Sequence, residues 1–410
     1  MKAKRFLAAA MAATMAALMF AGCGGSGTTT GSDSGTSTTS GSSGDEIIVG
    51  ILGPFTGDLA QYGLAVDNGA KLYFDQVNEN GGINGKTITY IEYDNQGDDT
   101  QAVTGYNYLV EQGMTALIGD VITSNTLAVV AEAYPDNMPM ITASATADSV
   151  TYDAETDTVY SNVFRSCFTD PFQGTKMADF AAQELGATTA AVIYETGNDY
   201  AEGLADAFIE ECANVGIEIV EEVGYASGDV DYNSQLTNIM AADPDVVFDP
   251  NYYTDVAMRL QQARASGLDC YSLGGDGWSS VSEYVSDPTY LQNCYYCSGY
   301  APGSTDAVKE FEAAYQEKYG EDVPNMFAPL AYDAAMILCN ALEIAESSGY
   351  ETGSDEYKQA VIDAIRDDSG DLEGITSASG YTFDEHNNPV KDANIITYDE
   401  NGQDIFYEVF

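Results

Sequence analysis

One histidine, one tryptophan and fourteen basic residues are very few for a chain of 410. Each scarcity excludes something. With His386 alone, no multi-histidine metal site can form, and any catalytic dyad would have to use that residue. Lys and Arg number 14 against 65 Asp and Glu, giving a net charge of −51. Such a chain repels nucleic acid and anionic lipid head groups, so no nucleic-acid partner is expected. Only two of the seven cysteines are close together, Cys294 and Cys297, in a tyrosine-rich, strand-like run. One C-x-x-C cannot supply four zinc ligands, and a redox pair normally opens a helix. No G-x-G-x-x-G follows a strand, and there is no G-x-S-x-G elbow and no P-loop. No metal and no cofactor are expected, and an enzyme is disfavoured. What is plentiful is core material: 45% of residues are apolar and 11% aromatic, enough for two or three packed domains.

The chain begins as an exported one does. Lys2, Lys4 and Arg5 precede an uncharged, mostly apolar run, Phe6–Phe20. That run is short for a membrane span and right for a signal sequence. It ends in Phe20-Ala21-Gly22-Cys23, which resembles a lipobox, although Phe20 stands where leucine is usual. In a lipobox the cysteine is acylated and becomes the new N-terminus. Residues 24–44 are Gly, Ser and Thr with one Asp33. Such a stretch buries nothing and acts as a tether with a reach of about 25 Å. Residues 1–22 therefore read as a signal peptide, and 23–44 as a lipidated cysteine and tether. The expected location is the outer face of the cell membrane. The six other cysteines are left open between free thiols and one disulfide.

From Asp45 the pattern alternates strand and helix. Ile47–Leu52 is a continuous apolar run, as a strand buried on both faces requires. Val66, Ala70, Tyr73, Phe74 and Val77 form a helical stripe that stops at Gly81-Gly82. Strand patterns follow at 87–93, 116–119 and 140–142, with helices over 102–110 and from about Thr126. After Arg165 the rhythm resumes: helices over 172–185, 201–215, 234–241 and 255–266, and strands at 190–194, 217–223, 246–248 and 271–273. Three helices (306–319, 330–347, 355–366) and a β-like tail (395–410) close the chain. This predicts an α/β protein with two doubly wound parallel-sheet lobes.

In such sheets ligands bind beyond the carboxyl ends of the strands. The first-lobe loops there are Gly53–Gly63, Asp120–Thr126 and Thr142–Thr146, rich in hydroxyls and free N–H groups. That chemistry holds a carboxylate without a metal or arginine. The second lobe offers Tyr200, Tyr252-Tyr253 and Gly274-Gly275-Asp276-Gly277-Trp278. A carboxylate beside an indole and tyrosines suits an ammonium group, by ion pairing with cation–π support. Together the two lobes point to an α-amino acid. Asp276 reads as a residue of a surface turn, and His386, outside every such loop, as a surface residue.

The residues also resemble a family. G-P-F-T-G-D-L-A-Q-Y-G (53–63), N-E-N-G-G-I-N-G-K (78–86), Y-D-N-Q-G-D-D-T-Q-A-V (93–103), M-I-T-A-S-A-T (140–146), Y-A-E-G-L-A (200–205), Q-A-R-A-S-G-L (262–268) and G-G-D-G-W (274–278) stand in matching order and spacing. Over Glu46–Phe410 the chain is similar to the leucine/isoleucine/valine-binding proteins of ABC transporters, of the type I periplasmic binding protein fold. The resemblance implies a non-catalytic receptor that closes on an amino acid and delivers it to membrane permease subunits. Branched aliphatic amino acids are the default ligand, and a monomer is expected. It places Tyr62, Thr123, Ser144, Ala145 and Thr146 on first-lobe ligand positions, with Thr123 and Ala145/Thr146 at the carboxylate. Tyr200, Tyr252 and Asp276 fall on second-lobe positions, Asp276 at the ammonium with Trp278 beside it. Phe327 falls at the side-chain end. Asp276 is an aspartate where glutamate is usual, one methylene shorter, and a family cysteine near Gly97 is absent. The resemblance implies three crossings, near Arg165, Gly299 and Asn394. Lobe 1 is then 45–165 with 300–393, and lobe 2 is 166–299 with 394–410. The alternatives are another solute of the same fold (an amide, a urea-type compound or a carboxylate) or a sensory receptor.

Overall fold

In the computed structural model, which describes residues 46–410, the run Ile47–Leu52 lies within β1 (Glu46–Gly53). The signal, Cys23 and the tether lie outside the described residues. After Glu46, β1 is apolar because it is central. It pairs in parallel with β2 (Thr87–Asp94) on one edge and β3 (Ala116–Ile118) on the other. Between these strands run α1 (Ala60–Glu79) and α2 (Asp99–Glu111), and α3 (Thr123–Ala133) follows β3. Then come β4 (Met140–Thr142), a hairpin of β5 (Tyr152–Asp153) and β6 (Thr158–Val159), and β7 (Val163–Arg165). The first sheet has the order β2-β1-β3-β4-β7, all parallel. The hairpin has no sequence signature because two residues per strand are too few to show alternation.

The second sheet repeats the plan. α4 (Asp170–Gln183) is followed by β8 (Thr189–Glu195), α5 (Asp199–Val215), β9 (Glu218–Tyr225), α6 (Asn233–Ala242), β10 (Val246–Phe248), α7 (Tyr253–Ala265), β11 (Tyr271–Gly274) and β12 (Cys294–Ser298). Local chemistry sets the ends. The Asn198 side chain accepts from the N–H groups of Tyr200 and Ala201 to start α5, and Gly216 at φ 87° stops it. α8 (Asp306–Tyr319), α9 (Phe327–Ser347) and α10 (Asp355–Asp367) then return to the first sheet, where α9 packs on α1, α10, β3 and β4. β13 (Asn394–Tyr398) and β14 (Asp404–Val409) add antiparallel to the second, giving β14-β13-β12-β11-β10-β8-β9. Among the described residues α9 is the one helix long and apolar enough to cross a membrane, and 72% of its apolar window is buried inside the protein.

The chain thus passes between the sheets after β7, after β12 and before β13. These passages are tied together. Lys391 Nζ donates to the carbonyl of Ser166 at 2.9 Å, and Ser166 Oγ to that of Leu330 at 2.8 Å. Asn394 Nδ2 donates to the carbonyl of Ser298 at 3.3 Å. All six described cysteines are free thiols. Cys294 and Cys297 share β12 three residues apart, so their side chains leave opposite faces and cannot pair. His386 is half-buried, its ring stacked 3.9 Å over Tyr152, rather than fully on the surface.

α1 and α9 meet at Gly69. A Cβ there would lie 2.0 Å from the Ala328 carbonyl oxygen, so only glycine permits this approach. Gly69→Ala is expected to cost about 1–3 kcal/mol by forcing the helices apart. Urea unfolding followed by circular dichroism measures it, and an unchanged midpoint would show that the helices separate freely.

Candidate functional site

Helix starts bring the site together. α3 begins at Thr123 and α9 at Phe327, each three residues before the apolar stripe suggests. Pro329 is tolerated in the first turn of α9 because the N–H it lacks has no intrahelical partner there. Thr123 and Phe327 are therefore first residues of helices that point into the space between the sheets. Tyr62 is in the first turn of α1, Tyr200 in that of α5, and Tyr252 immediately precedes α7. Asp276 and Gly277 lie in a short 3-10 turn after β11. These residues line one cleft with Val121, Ile122 and Ser144.

The cleft is shut by its own hydroxyls. Tyr62, from the first lobe, donates to the carbonyl of Gly277 at 2.6 Å and accepts from the N–H of Tyr253 at 3.2 Å. Tyr253 donates in turn to the carbonyl of Asp58 at 2.6 Å. Asn325 Nδ2 reaches both the carbonyl of Gln61 and Ser280 Oγ, each at 3.2 Å. The rings of Tyr62 and Phe327 meet edge to face at 5.0 Å, and those of Tyr200 and Tyr252 stack at 5.0 Å. Tyr62, Thr123, Tyr200, Asp276 and Phe327 are each no more than 3% exposed, so the cleft is closed to solvent.

The two lobes present opposite electrostatic poles. Ile122 gives α3 no side-chain cap, which leaves its first-turn N–H groups for an anion. Ser144 stands beside it, its hydroxyl donating to the carbonyl of Val121 at 2.7 Å. Across the cleft, Asp276 Oδ1 accepts from Tyr200 at 2.9 Å, and its N–H donates to Gln173 Oε1 at 2.8 Å. Burial raises the Asp276 carboxyl to about 6, while the hydrogen bonds from Tyr200 and Gln173 pull it down. Burial also raises Asp120, at the end of β3, to about 7, although it accepts from the N–H of Val121 and from Asn95.

Four expectations need correction. Asp276 is not in a surface turn: it is 2% exposed, because the turn packs beneath α5. Trp278 does not face the ligand space. It is 0% exposed, its indole N–H donates to the carbonyl of Asp249 at 2.7 Å, and its ring fills the place a side chain at Gly274 would need. Ala145 cannot offer its N–H to a carboxylate, because that N–H donates to Thr142 Oγ1 at 3.1 Å, and its carbonyl accepts from Arg165 at 3.0 Å. Thr146 lies deeper than the cleft lining. It is fully buried, with its hydroxyl beside the Asp170 carboxyl.

Sequence reasoning passed over the scaffold behind the acid. Arg259 grips Asp249 through Nε at 2.9 Å and Nη2 at 2.5 Å, and its guanidinium also lies against the rings of Tyr225 and Tyr232. Asn251 links the N–H of Glu195 and the carbonyl of Ile193. This network fixes the ends of β8 and β10 against the Asp276 turn. It also passed over Asp170 and Gln173, whose signal was the helix start Thr169-Asp170-Pro171.

The sequence profile of the family described as Periplasmic binding protein matches residues 46–403. The chain is a member of that family. It is 27% identical over 340 residues to the leucine-, isoleucine-, valine-, threonine-, and alanine-binding protein of Pseudomonas aeruginosa, covering 81% of this chain and 88% of that one. Its fold is similar to the leucine binding protein LivK from Thermotoga maritima, with a TM-score of 0.79 and 28% identity over 89% of this chain and 98% of that one. It is also similar to LivJ from Streptococcus pneumoniae, solved in complex with isoleucine, with a TM-score of 0.77 and 30% identity over 88% and 99%.

The buried acids of this periplasmic binding protein make its stability depend on pH. Asp120, Asp170 and Asp276 all have raised carboxyls, with burial the first cause in each. The native state therefore keeps protons that the unfolded chain gives up above about pH 4. The destabilisation is absent below that pH and grows as pH rises through about 6 for Asp276 and about 7 for Asp120. Acids held low by hydrogen bonds, such as Asp94 and Asp245, act below this window. Without ligand, the melting midpoint is expected to be higher at pH 5 than at pH 8. Calorimetry showing the reverse order would contradict this account.

Proposed function

We propose that this protein is the extracytoplasmic receptor of an ABC transporter. It captures an α-amino acid between its lobes and delivers it to permease subunits. The observation that carries the reading is the polarity of the cleft. The uncapped start of α3 with Thr123 suits a carboxylate, and Asp276 with Tyr200 suits an ammonium group on the opposite side. Tyr62, Tyr252 and Phe327 supply ring faces for the rest of the ligand. Relatives whose names carry leucine, isoleucine and valine support a branched aliphatic side chain.

Binding and closure are one event here, because no single lobe holds both poles. Residues 45–165 with 300–393 form one jaw, and 166–299 with 394–410 the other. The tied passages between the sheets act as the hinge. A thermal-shift screen against the twenty amino acids identifies the ligand. At 100 times its Kd, a ligand adds about 2.7 kcal/mol. Truncating one member of a buried charge pair costs about 2–5 kcal/mol, roughly 30-fold to a few thousand-fold in Kd. Asp276→Ala is expected to lose binding by that range in isothermal titration. Because Asp276 is buried, Asp276→Asn serves as the shape-preserving partner, with circular dichroism on both. Folded variants that bind within about threefold of the parent would overturn the assignment.

The anchor belongs to the same proposal. Acylated Cys23, with at least two chains, would hold the receptor at the membrane while the tether lets it reach the permease. Cys23→Ala is expected to move the protein from the membrane to the soluble fraction of cells. A variant that sediments with membranes as the parent does would refute a lipid anchor at Cys23.

A further inference from the structure

A second cavity lies beside the passage that follows β12, and none of the residues that line the cleft lines it. Its volume is about 600 Å³, the size of a site for a small organic ligand. Both lobes contribute to its wall. Glu283, Tyr296 on β12, Ile396 on β13 and Asp404 at the start of β14 come from one. Glu312 on α8, with Asp322 and Met326 from the segment that leads into α9, comes from the other.

The wall is acidic and short of cations. Asp404 Oδ2 accepts from the Tyr296 hydroxyl at 2.7 Å, but Oδ1 is buried and has no hydrogen-bond partner. Burial raises this carboxyl to about 6, the Tyr296 hydrogen bond pulls it down, and the charge of Glu283 adds to the rise. Glu312 accepts from the Tyr300 hydroxyl at 2.5 Å and from the N–H of Gly303 at 2.8 Å. Among the described residues, none of Glu283, Glu312, Asp322 and Asp404 pairs with a lysine or arginine. Lys309, the one basic residue on the wall, is exposed and lies 3.5 Å from Asp306, which is not on the wall. Nor do the acids converge on a point: no three His, Cys, Asp or Glu among the described residues are placed to hold one metal ion. The wall also has a buried apolar part, Tyr296, Met326 and Ile396, each no more than 3% exposed.

Carboxylates spread around an apolar surface are complementary to a cation whose charges are separated by methylenes. An ammonium group has three donors and no acceptor, so it can serve Asp404 Oδ1, while methylenes cover Tyr296, Met326 and Ile396. We propose that this cavity is a second ligand site and that it takes a linear aliphatic polyamine. Because its acids come from both lobes, the occupant offsets the repulsion between them and holds the lobes together. The site lies outside the cleft and does not depend on the amino-acid reading above.

The test is isothermal titration of the full protein with spermidine in about 150 mM NaCl, which screens exposed charges. A single saturable site is expected. Asp404→Asn and Glu312→Gln keep the shapes of their side chains, and each is expected to weaken binding about tenfold. Glu310→Gln combined with Glu400→Gln removes two exposed acids that are not on the wall, and is expected to bind as the parent does. Butylamine, with one charge, and Mg²⁺, with no methylenes, are expected to bind at least about tenfold more weakly than spermidine. Only weak binding at many sites overturns the proposal. So do folded Asp404→Asn and Glu312→Gln variants that bind as the parent does, an equal loss in the Glu310/Glu400 variant, or butylamine or Mg²⁺ binding as tightly as spermidine. If circular dichroism shows one cavity variant unfolded, the other decides; if both are unfolded, the parent's stoichiometry and its ranking of the three cations decide. No amino acid is present, so either result leaves the reading of the cleft untouched.

Discussion

A carboxylate kept from water at Asp276 is the constraint around which the rest of the structure is arranged. A buried charge without partners costs several kcal/mol, so every neighbour of this turn is engaged in making it tolerable. Tyr200 donates to the carboxylate and also receives the N–H of Gly277, so one hydroxyl fixes both the acid and its turn. Gln173 takes the Asp276 N–H from the side of α4. Trp278, pressed under Gly274, locks the turn to the end of β10 through the carbonyl of Asp249, which Arg259 holds from behind. The acid is thus preorganised by elements from four strand–helix units and is left short of one thing, a cation.

On the amino-acid reading proposed above, the same constraint accounts for the two-lobed architecture. A carboxylate and an ammonium group of one small molecule need opposite fields a few ångströms apart. A single sheet edge presents helix N-termini, which favour anions only. Placing the anion pole on α3 of the first sheet and the acid on the second solves this, provided that the sheets can approach. Tyr62 and Tyr253 show how they do: each reaches across and bonds the other lobe's backbone or hydroxyl. The passages near Ser166, Ser298 and Lys391 are laced together by hydrogen bonds.

The net charge of −51 plays no part in this local design. Much of it is carried on the exposed faces of helices and loops. Inside, the acids that matter are Asp120, Asp170 and Asp276, and they behave oppositely to the surface ones, because burial raises their carboxyls.

The alternation of apolar runs and helical stripes was enough, from the sequence alone, to establish two largely parallel sheets and the order of most of their elements, though not that β13 and β14 join the second sheet antiparallel. Buried strands such as β1 have no choice of composition, and helix stripes repeat too regularly to be read otherwise. Side-chain direction was not legible in the sequence. Trp278 and Ala145 stand in the right loops and face away, because a 3-10 turn and a hydroxyl-capped bend decide where they point. Asp170 is more than a hundred residues from Gly274 and Trp278 in the chain, and only the packing of α4 against α5 brings it behind Asp276. Whether a carboxylate is exposed or desolvated depends on what lies on top of it. That is a property of tertiary contact, and no local pattern encodes it.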